Sequence, residues 1–212
     1  MALSQAPTAE VIIAWQGMGY NRRAVYLQNS ARIICDKFNG ILPEDPDVLE
    51  TLPGIGPNTA GSISCFAYNK PTIFIETNIR RVFIHHFFKD QQNVSDKQIL
   101  ALVDTTLDTK DPRQWYYALM DYGSHLRSML AKNPNTQSRH YSRQSKFEGS
   151  DREVRAFIVK LLAQNGIQSQ KDIHSAIHEL RPQWPEEKIL QTVQKLKKDG
   201  LVVIHDTHMQ LG

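Results

Sequence analysis

Apolar residues recur every three or four positions along most of this chain, which is the spacing of α-helices packed on a core. In the first 51 residues this pattern predicts helices over 8–20, 22–38 and 46–51, with breaks at Gly17, Gly19 and Gly40. The first helix should bury Val11, Ile12 and Trp15. The second helix should bury Ala24, Leu27, Ala31, Ile34 and Phe38.

A glycine pair then interrupts the pattern in the stretch LPGIGPNTAG, residues 52–61. Gly54 and Gly56 flank a predicted tight turn, Pro57 is suited to a first helical position, and residues 59–68 predict the next helix. Glycine lets backbone approach a ligand closely, and the first amides of a helix have no partner within the helix. The stretch therefore predicts either a plain connector between helices or a hairpin that binds the phosphates of a nucleic acid.

A carboxylate, Glu76, follows the apolar run TIFI and precedes a helix with Ile79, Val82, Phe83 and Phe87 at helical spacing. Because the amides at a helix start favour a negative charge, Glu76 fits two roles. It is either a cap that only stabilises the helix or a charged group available for chemistry.

The pattern changes after residue 150. Helices are predicted over 151–165, 169–180 and 185–198, followed by two short strands that meet at Asp206 and Thr207. Three helices and a hairpin resemble a winged helix-turn-helix, in which the third helix usually contacts duplex DNA. Here that helix carries Lys188, Lys195, Lys197 and Lys198. A protein-binding wing with a solvated basic face is the alternative.

Composition and charge narrow the classes of protein. The 212 residues suffice for one ordinary domain and a small one, and the formal net charge is +3. Residues 127–146 contain five Lys or Arg and no Asp or Glu, which indicates either a solvated linker or a phosphate-binding segment. No apolar run approaches the roughly 20 residues of a membrane span, and the first residues lack a signal-peptide pattern. We therefore expect a cytoplasmic protein.

Cysteine and histidine give no sign of a metal site. Cys35 and Cys65 lie in helical patterns beside apolar residues, which favours packing in a reducing compartment. The eight histidines have no ligand spacing, and His85 and His86 are expected to face solvent.

Four segments give the chain a specific resemblance. They are AWQGMGYNRRAVYL (14–27), LPGIGPNTAG (52–61), FIETNIRRV (74–82) and ALMDYG (118–123). Over residues 7–123 the chain resembles the helix-hairpin-helix DNA glycosylases, closest to the MutY-type adenine glycosylases. The resemblance implies a mainly α fold. Residues 1–149 would form a helix-hairpin-helix glycosylase-like domain, with a basic linker at 127–149, and residues 150–212 a winged-helix domain.

The resemblance also implies a function and a set of site residues. The expected activity is base excision repair on double-stranded DNA, with adenine opposite guanine or 8-oxoguanine as the first candidate for the base removed. The expected catalytic residues are Glu76, which would stabilise an oxocarbenium-like sugar, and Asn78 and Tyr68, which would orient the sugar or a water. The residues expected to contact DNA are Gly54, Ile55, Gly56, Asn58, Thr59, Arg22, Arg23, Lys195, Lys197 and Lys198. We expect a monomer associated with the nucleoid.

Three departures from the family pattern carry further expectations. Relatives that also cut the DNA backbone hold a lysine at the position of Asn58, and an amide forms no Schiff base, so a monofunctional enzyme is expected. The family's iron–sulphur cluster needs four cysteines, so the cluster is expected to be absent and no cofactor is predicted. The family normally has aspartate where this chain has Glu76, so we expect a displaced sugar or reduced activity.

The chain also begins after the family's opening helical segment, which carries the glutamate that protonates adenine. We therefore expect either a truncated glycosylase or a non-catalytic DNA-binding module. Within the enzyme class, a thymine or uracil mismatch glycosylase is the alternative.

Overall fold

The computed structural model describes residues 1–212, and most of them are helical. The chain forms two compact units. Unit 1 combines residues 1–41 with residues 144–212, and unit 2 comprises residues 42–143. None of the helices combines the length and apolar composition that a membrane crossing requires.

The regular elements of unit 2 are all helices, apart from an isolated β-bridge between Val94 and Ser138. Its elements are α4 (Pro46–Leu49), α5 (Pro57–Tyr68), α6 (Thr77–Phe87), α7 (Asp96–Thr106), α8 (Pro112–Met129) and a 3-10 helix (Pro134–Gln137). Helix α6 lies against α7, α8 and the 3-10 helix, which makes it the central helix of the unit. The buried core around it contains Cys65, Phe74, Ile75, Ile79, Phe83, Ile84, Val94, Ile99, Val103 and Tyr116.

The helix starts in unit 2 follow local sequence rules. Proline stands at the first helical position of α4, α5 and α8. Helix α7 begins with a capping box, in which Ser95 and Gln98 each accept a hydrogen bond from the other's backbone amide. Helix α6 begins at Glu76, whose side chain caps the first turn.

Unit 1 brings the two ends of the chain together. It contains α1 (Ala2–Gln5), α2 (Thr8–Ala14), α3 (Arg22–Phe38), α9 (Asp151–Asn165), α10 (Gln170–Leu180) and α11 (Glu186–Lys198), with strands β1 (Gln168–Ser169), β2 (Val202–His205) and β3 (His208–Leu211). The strands form an antiparallel sheet in the order β1-β3-β2, with Val202 opposite Leu211 and His205 opposite His208. The three C-terminal helices and the β2–β3 hairpin agree with the predicted element order, and β1 is an additional strand.

The division into units differs from the predicted boundary at residue 149. Ile12 of α2 is 1% exposed and lies in one apolar cluster with Val154, Ile158 and Val159 of α9. Because this cluster joins the N-terminal helices to the C-terminal segment, the boundaries of the compact units fall near residues 41 and 144.

Two details of the helix predictions in unit 1 are wrong. Helix α2 ends at Ala14 rather than at residue 20, because Gly17, Gly19 and Tyr20 adopt left-handed backbone conformations. Leu27 is 46% exposed, because the side of α3 that carries Ala24 and Gln28 is the buried one. Gln28 is buried against the main chain of α1, and its Nε2 donates to the Ala6 carbonyl oxygen at 2.6 Å.

Phe87 shares the helical spacing of the apolar residues of α6, but it is 55% exposed and stacks on Phe83 at the end of the helix.

The basic segment 127–146 is divided between two environments. Pro134, Asn135 and Ser138 are buried in unit 2, and Asn135 Nδ2 donates to the Thr77 carbonyl oxygen at 2.9 Å. Residues 141–149 are exposed. Part of this predicted linker is therefore packed against the start of α6.

Candidate active site

The Glu76 carboxylate lies at the start of α6, and it is half-buried. Its Oε1 accepts hydrogen bonds from the amides of Asn78 at 2.5 Å and Ile79 at 3.0 Å. The structure therefore shows the capping role that the sequence left open. Oε2 has no hydrogen-bond partner within residues 1–212, so one oxygen is fixed and the other remains available.

The extended segment 72–76 positions this carboxylate, although the segment pairs with no strand. Its backbone groups are bonded by side chains instead. Tyr116 Oη donates to the Thr72 carbonyl oxygen at 2.9 Å and accepts from the Phe74 amide at 3.2 Å. Thr72 Oγ1 donates to the Gly61 carbonyl oxygen at 2.6 Å. Because buried backbone groups need partners, these bonds define the path of the chain into Glu76.

Asn58 connects the hairpin helix to the same segment. Its Oδ1 accepts from the Ile75 amide at 3.0 Å, and Ile75 is 2% exposed. This side chain, expected to contact DNA, therefore has a structural bond one residue before Glu76. Asn58 thus contacts the segment that leads into Glu76, and it makes no hydrogen bond to the carboxylate itself.

Asn78 is held by a residue that the sequence analysis did not single out. Arg81 is 5% exposed, and its Nη1 donates to Asn78 Oδ1 and to the Gly123 carbonyl oxygen, both at 2.5 Å. Its Nε donates to Asn133 Oδ1 at 3.2 Å. Burial, aided by the charge of Arg127, lowers the pKa of Arg81, whereas the charge of Glu76 opposes this shift.

Gly123, the last residue of the ALMDYG segment, allows α8 to approach α6. A β-carbon at this position would lie 2.3 Å from the Asn78 carbonyl oxygen. Only glycine fits such a contact without movement of the backbone. The segment carried the resemblance in sequence, but its packing on Asn78 has no local sequence signal.

The glycine hairpin is exposed where the sequence predicted a phosphate contact. Gly54 has a φ of +75°, and the Ile55 amide donates to the Leu52 carbonyl oxygen at 3.2 Å to close the turn. Gly56 precedes α5 and provides no side-chain cap. The amides of the first turn, at Asn58 and Thr59, are therefore left for an external acceptor.

Tyr68, the third predicted catalytic residue, has a different partner. Its hydroxyl donates to the Leu42 carbonyl oxygen at 2.5 Å, and the side chain is half-buried at the end of α5. It makes no hydrogen bond to Glu76 or Asn78. The structure brings Glu76, Asn78 and Asn58 together through backbone contacts, but it does not join Tyr68 to them.

The predicted DNA-contacting cations lie in unit 1. Arg22 forms an ion pair with Asp199 at 3.1 Å and lies over the Tyr26 ring, while Arg23 lies over the Trp15 ring. On α11, Lys195 lies 3.6 Å from Asp151. Lys197 and Lys198 are exposed in the last turn of that helix.

The cysteines do not fit an iron–sulphur cluster. Cys35 lies on α3 and Cys65 on α5, and no group of three or more His, Cys, Asp or Glu is arranged for a metal ion. Burial raises the pKa of the Cys65 thiol to about 11.

Comparisons with known proteins show a family match and several relatives. Residues 1–105 match the family described as HhH-GPD superfamily base excision DNA repair protein. The adenine DNA glycosylase of Mycolicibacterium smegmatis is 33% identical over 184 residues, covering 76% of this chain and 60% of that protein. Endonuclease III of Escherichia coli is 36% identical over 86 residues, covering 40% of this chain and 41% of that protein. The chain thus spans less than two thirds of either relative.

A solved structure shows the same fold. The structure of a thermostable thymine-DNA glycosylase aligns with a TM-score of 0.53 at 22% identity, covering 62% of each chain. The family match includes the glycine hairpin, Glu76 and Asn78. Residues 1–105 thus match the HhH-GPD superfamily of base excision DNA repair proteins, and the chain is similar to the adenine DNA glycosylases.

Proposed function

We propose that this chain is a monofunctional DNA glycosylase that removes adenine opposite guanine or 8-oxoguanine. The observation that carries the proposal is the Glu76 carboxylate, fixed by two backbone amides through Oε1 with Oε2 unpaired. The similarity to adenine DNA glycosylases supports adenine as the base.

The proposed chemistry follows from that carboxylate. As the bond between C1′ and the base nitrogen breaks, the base leaves with the electron pair and takes up a proton, and the sugar acquires oxocarbenium character. The Glu76 carboxylate stabilises this positive charge electrostatically. The oxygen of a water then bonds to C1′ and releases its proton, which leaves an abasic sugar.

The glycine hairpin is the proposed contact to the DNA backbone. Its exposed glycines and the uncapped first turn of α5 suit a phosphate oxygen, which would accept from the amides near Asn58 and Thr59. Because Asn58 Oδ1 binds the Ile75 amide, a phosphate on this hairpin is coupled through one side chain to the segment that carries Glu76.

Monofunctional chemistry follows from the same asparagine. A primary amine is needed to attack C1′ and form the Schiff base that leads to strand cleavage, and the side chain of Asn58 is an amide. We therefore expect breaks in the DNA only after alkali treatment. We also expect no covalent protein–DNA adduct when borohydride is present.

The experiment uses duplexes that carry adenine, thymine or uracil opposite guanine, and adenine opposite 8-oxoguanine. We expect alkali-dependent breaks at adenine, and we expect Glu76→Gln to lose them. Breaks at thymine or uracil alone would identify a mismatch glycosylase of the alternative kind. DNA binding without breaks would indicate a non-catalytic module, and a borohydride-trapped adduct would contradict monofunctional chemistry.

A further inference from the structure

Unit 1 contains a cavity of about 530 Å³ that has no part in the proposed excision chemistry. Its volume lies in the range of about 300–1,000 Å³ that small-molecule sites occupy. The residues that give it chemical character are three aromatic side chains, four arginines and one carboxylate: Tyr20, Tyr26, Phe147, Arg22, Arg23, Arg152, Arg155 and Asp199.

The charge of the cavity favours an anion. Asp199 is the one acidic residue of the lining, and it contacts Arg22 at 3.1 Å and Arg155 at 2.5 Å. Arg152 forms no ion pair with a carboxylate. Its Nη2 donates to the Ser145 carbonyl oxygen at 2.6 Å. Arg23 likewise contacts a ring instead of an acid. Two guanidinium groups are therefore without a negative partner.

The aromatic residues supply exposed ring faces beside those cations. Tyr20 is 64% exposed and Phe147 is 54% exposed, which is unusual for rings that line a cavity. Phe147 lies under the Arg152 guanidinium at 5.9 Å, and Tyr26 lies under Arg22 at 5.2 Å. A planar ring can stack on such faces while an attached anionic group reaches the arginines.

The backbone holds Tyr20 at the cavity in a strained conformation. Its φ is +49°, a left-handed value that bulky residues seldom adopt, and Gly17 and Gly19 before it also have positive φ. Trp15 Nε1 donates to the Gly19 carbonyl oxygen at 2.9 Å, and Gln144 Nε2 donates to the Tyr20 hydroxyl. The turn is thus tied at both ends while the ring remains open to solvent.

We propose that this cavity binds a single nucleoside phosphate with an unpaired base, stacked on Tyr20 and Phe147 and held by Arg152 and Arg23. The ligand is either a free mononucleotide or one unpaired nucleotide within a DNA strand. This inference goes beyond the proposed glycosylase function and does not depend on Glu76, which lies in unit 2.

The test measures binding of two kinds of probe to the full chain. Calorimetric titration with dAMP, deoxyadenosine and inorganic phosphate examines the free ligand. Fluorescence anisotropy with a duplex that has one unpaired nucleotide, compared with its fully paired counterpart, examines the strand. The cavity variants are Tyr20→Leu, Tyr20→Phe and Arg152→Gln. Lys160→Gln is the matched control, because Lys160 is exposed on α9 outside the cavity lining.

We expect Tyr20→Leu and Arg152→Gln each to weaken binding by about fivefold or more, as the loss of base stacking or of one charged hydrogen bond implies. Lys160→Gln should bind as wild type does, and Tyr20→Phe, which keeps the ring, should lose less affinity than Tyr20→Leu. The readout is binding and not base removal, so a failure of the excision chemistry would not affect this result. Because Tyr20 is exposed, Tyr20→Leu tests the cavity even if Arg152→Gln fails to fold.

The source of the ligand follows from which probe responds. Loss of dAMP binding in the cavity variants identifies a free mononucleotide, and loss confined to the unpaired duplex identifies a nucleotide in a strand. Equal affinity of Tyr20→Leu and Lys160→Gln for both probes would overturn the proposal. Binding of inorganic phosphate as tight as that of dAMP would also overturn it, since the rings would then contribute nothing.

Discussion

At the scale of single residues, the segment that carries Glu76 depends on side chains that replace a neighbouring strand. Tyr116 is fully buried, stacks on Phe74 with ring centroids 4.0 Å apart, and bonds two backbone groups through one hydroxyl. Asn58 bonds a third backbone group. Removing either polar group leaves buried backbone without a partner.

The first prediction concerns Tyr116→Phe, which keeps the ring and removes the hydroxyl. The Phe74 amide and the Thr72 carbonyl then lose their partner, at a cost of about 1–3 kcal/mol for a buried group left unpaired. Urea unfolding measures the loss. Tyr117→Phe is the control, because Tyr117 is 45% exposed on the same helix, and an equal loss in both variants would contradict the account.

A second prediction concerns how the stability difference between wild type and Tyr116→Phe depends on pH. Burial raises the pKa of Tyr116 to about 12, whereas the pKa of a tyrosine in the unfolded chain is about 10. Between these values the unfolded state loses its proton first, so this contribution to the unfolding free energy is complete below about pH 10 and decreases as pH rises. The stability difference between wild type and Tyr116→Phe should therefore narrow above pH 10. A constant difference would disprove this assignment.

Asn58 allows a matched comparison of acceptors. Asn58→Asp retains an oxygen for the Ile75 amide, whereas Asn58→Ala removes it and should destabilise the protein by about 1–3 kcal/mol more. The excision rate should fall further in the alanine variant, because residues 72–76 then hold Glu76 less firmly. Equal stability of the two variants in chemical denaturation would show that this hydrogen bond has no structural role.

At the scale of elements, the crossing of α6 and α8 determines where Glu76 and Asn78 lie. Gly123 allows the backbones to touch, and Arg81 bonds the Asn78 side chain to the Gly123 carbonyl oxygen. The 3-10 helix completes the arrangement through Asn135 and Thr77. Two later elements, α8 and the 3-10 helix, thus position the start of α6.

Gly123→Ala tests this crossing. The added methyl would overlap the Asn78 carbonyl, so α8 must move, which costs about 1–3 kcal/mol as overpacking generally does. Excision should fall more than DNA binding, because the shift displaces Asn78. Ser124→Ala, an exposed neighbour on α8, is the control. Wild-type stability and excision in Gly123→Ala would refute the close approach.

Helix positions could largely be predicted from the sequence, because local periodicity and caps determine them. Helices α3 and α9 have the predicted bounds, Arg22–Phe38 and Asp151–Asn165. The glycine turn before α5 was also predicted, although the helix begins at Pro57 and not at the predicted residue 59. The contacts of Tyr116 and Arg81 could not be predicted, because each joins residues about 40 positions apart.

The predicted cluster of Glu76, Asn78 and Tyr68 likewise combines residues that local sequence places together with one that it does not. Glu76 and Asn78 share one helix start, so local sequence sufficed to place them together. Tyr68 ends a different helix, and whether its hydroxyl faces Glu76 depends on packing that no local pattern encodes. In the structure this hydroxyl binds the Leu42 carbonyl.

At the scale of the whole molecule, the chain termini share one core while the hairpin and Glu76 belong to the other unit. Ala9, Ile12 and Val25 pack in the cluster that α9 completes. A division at residue 149 therefore removes the partners of the N-terminal helices, whereas a division at residues 42 and 143 preserves a complete core.

Truncations test this organisation. A fragment of residues 42–143 should unfold cooperatively in urea. In a fragment of residues 1–149, amides of α2 and α3 should exchange hydrogen much faster than in the full chain, because Ile12 loses its cover. Slow exchange of α2 in the shorter fragment would contradict the shared core.

The most direct measurement of the central claim is the single-turnover rate of base excision by wild type and by Glu76→Gln at saturating enzyme. The glutamine keeps an oxygen for the Asn78 and Ile79 amides, so the helix cap survives while the negative charge is removed. We predict that the excision rate falls by about 10²-fold or more, as loss of one electrostatic stabiliser implies, with DNA affinity unchanged. An unchanged rate in Glu76→Gln would contradict the role assigned to this carboxylate.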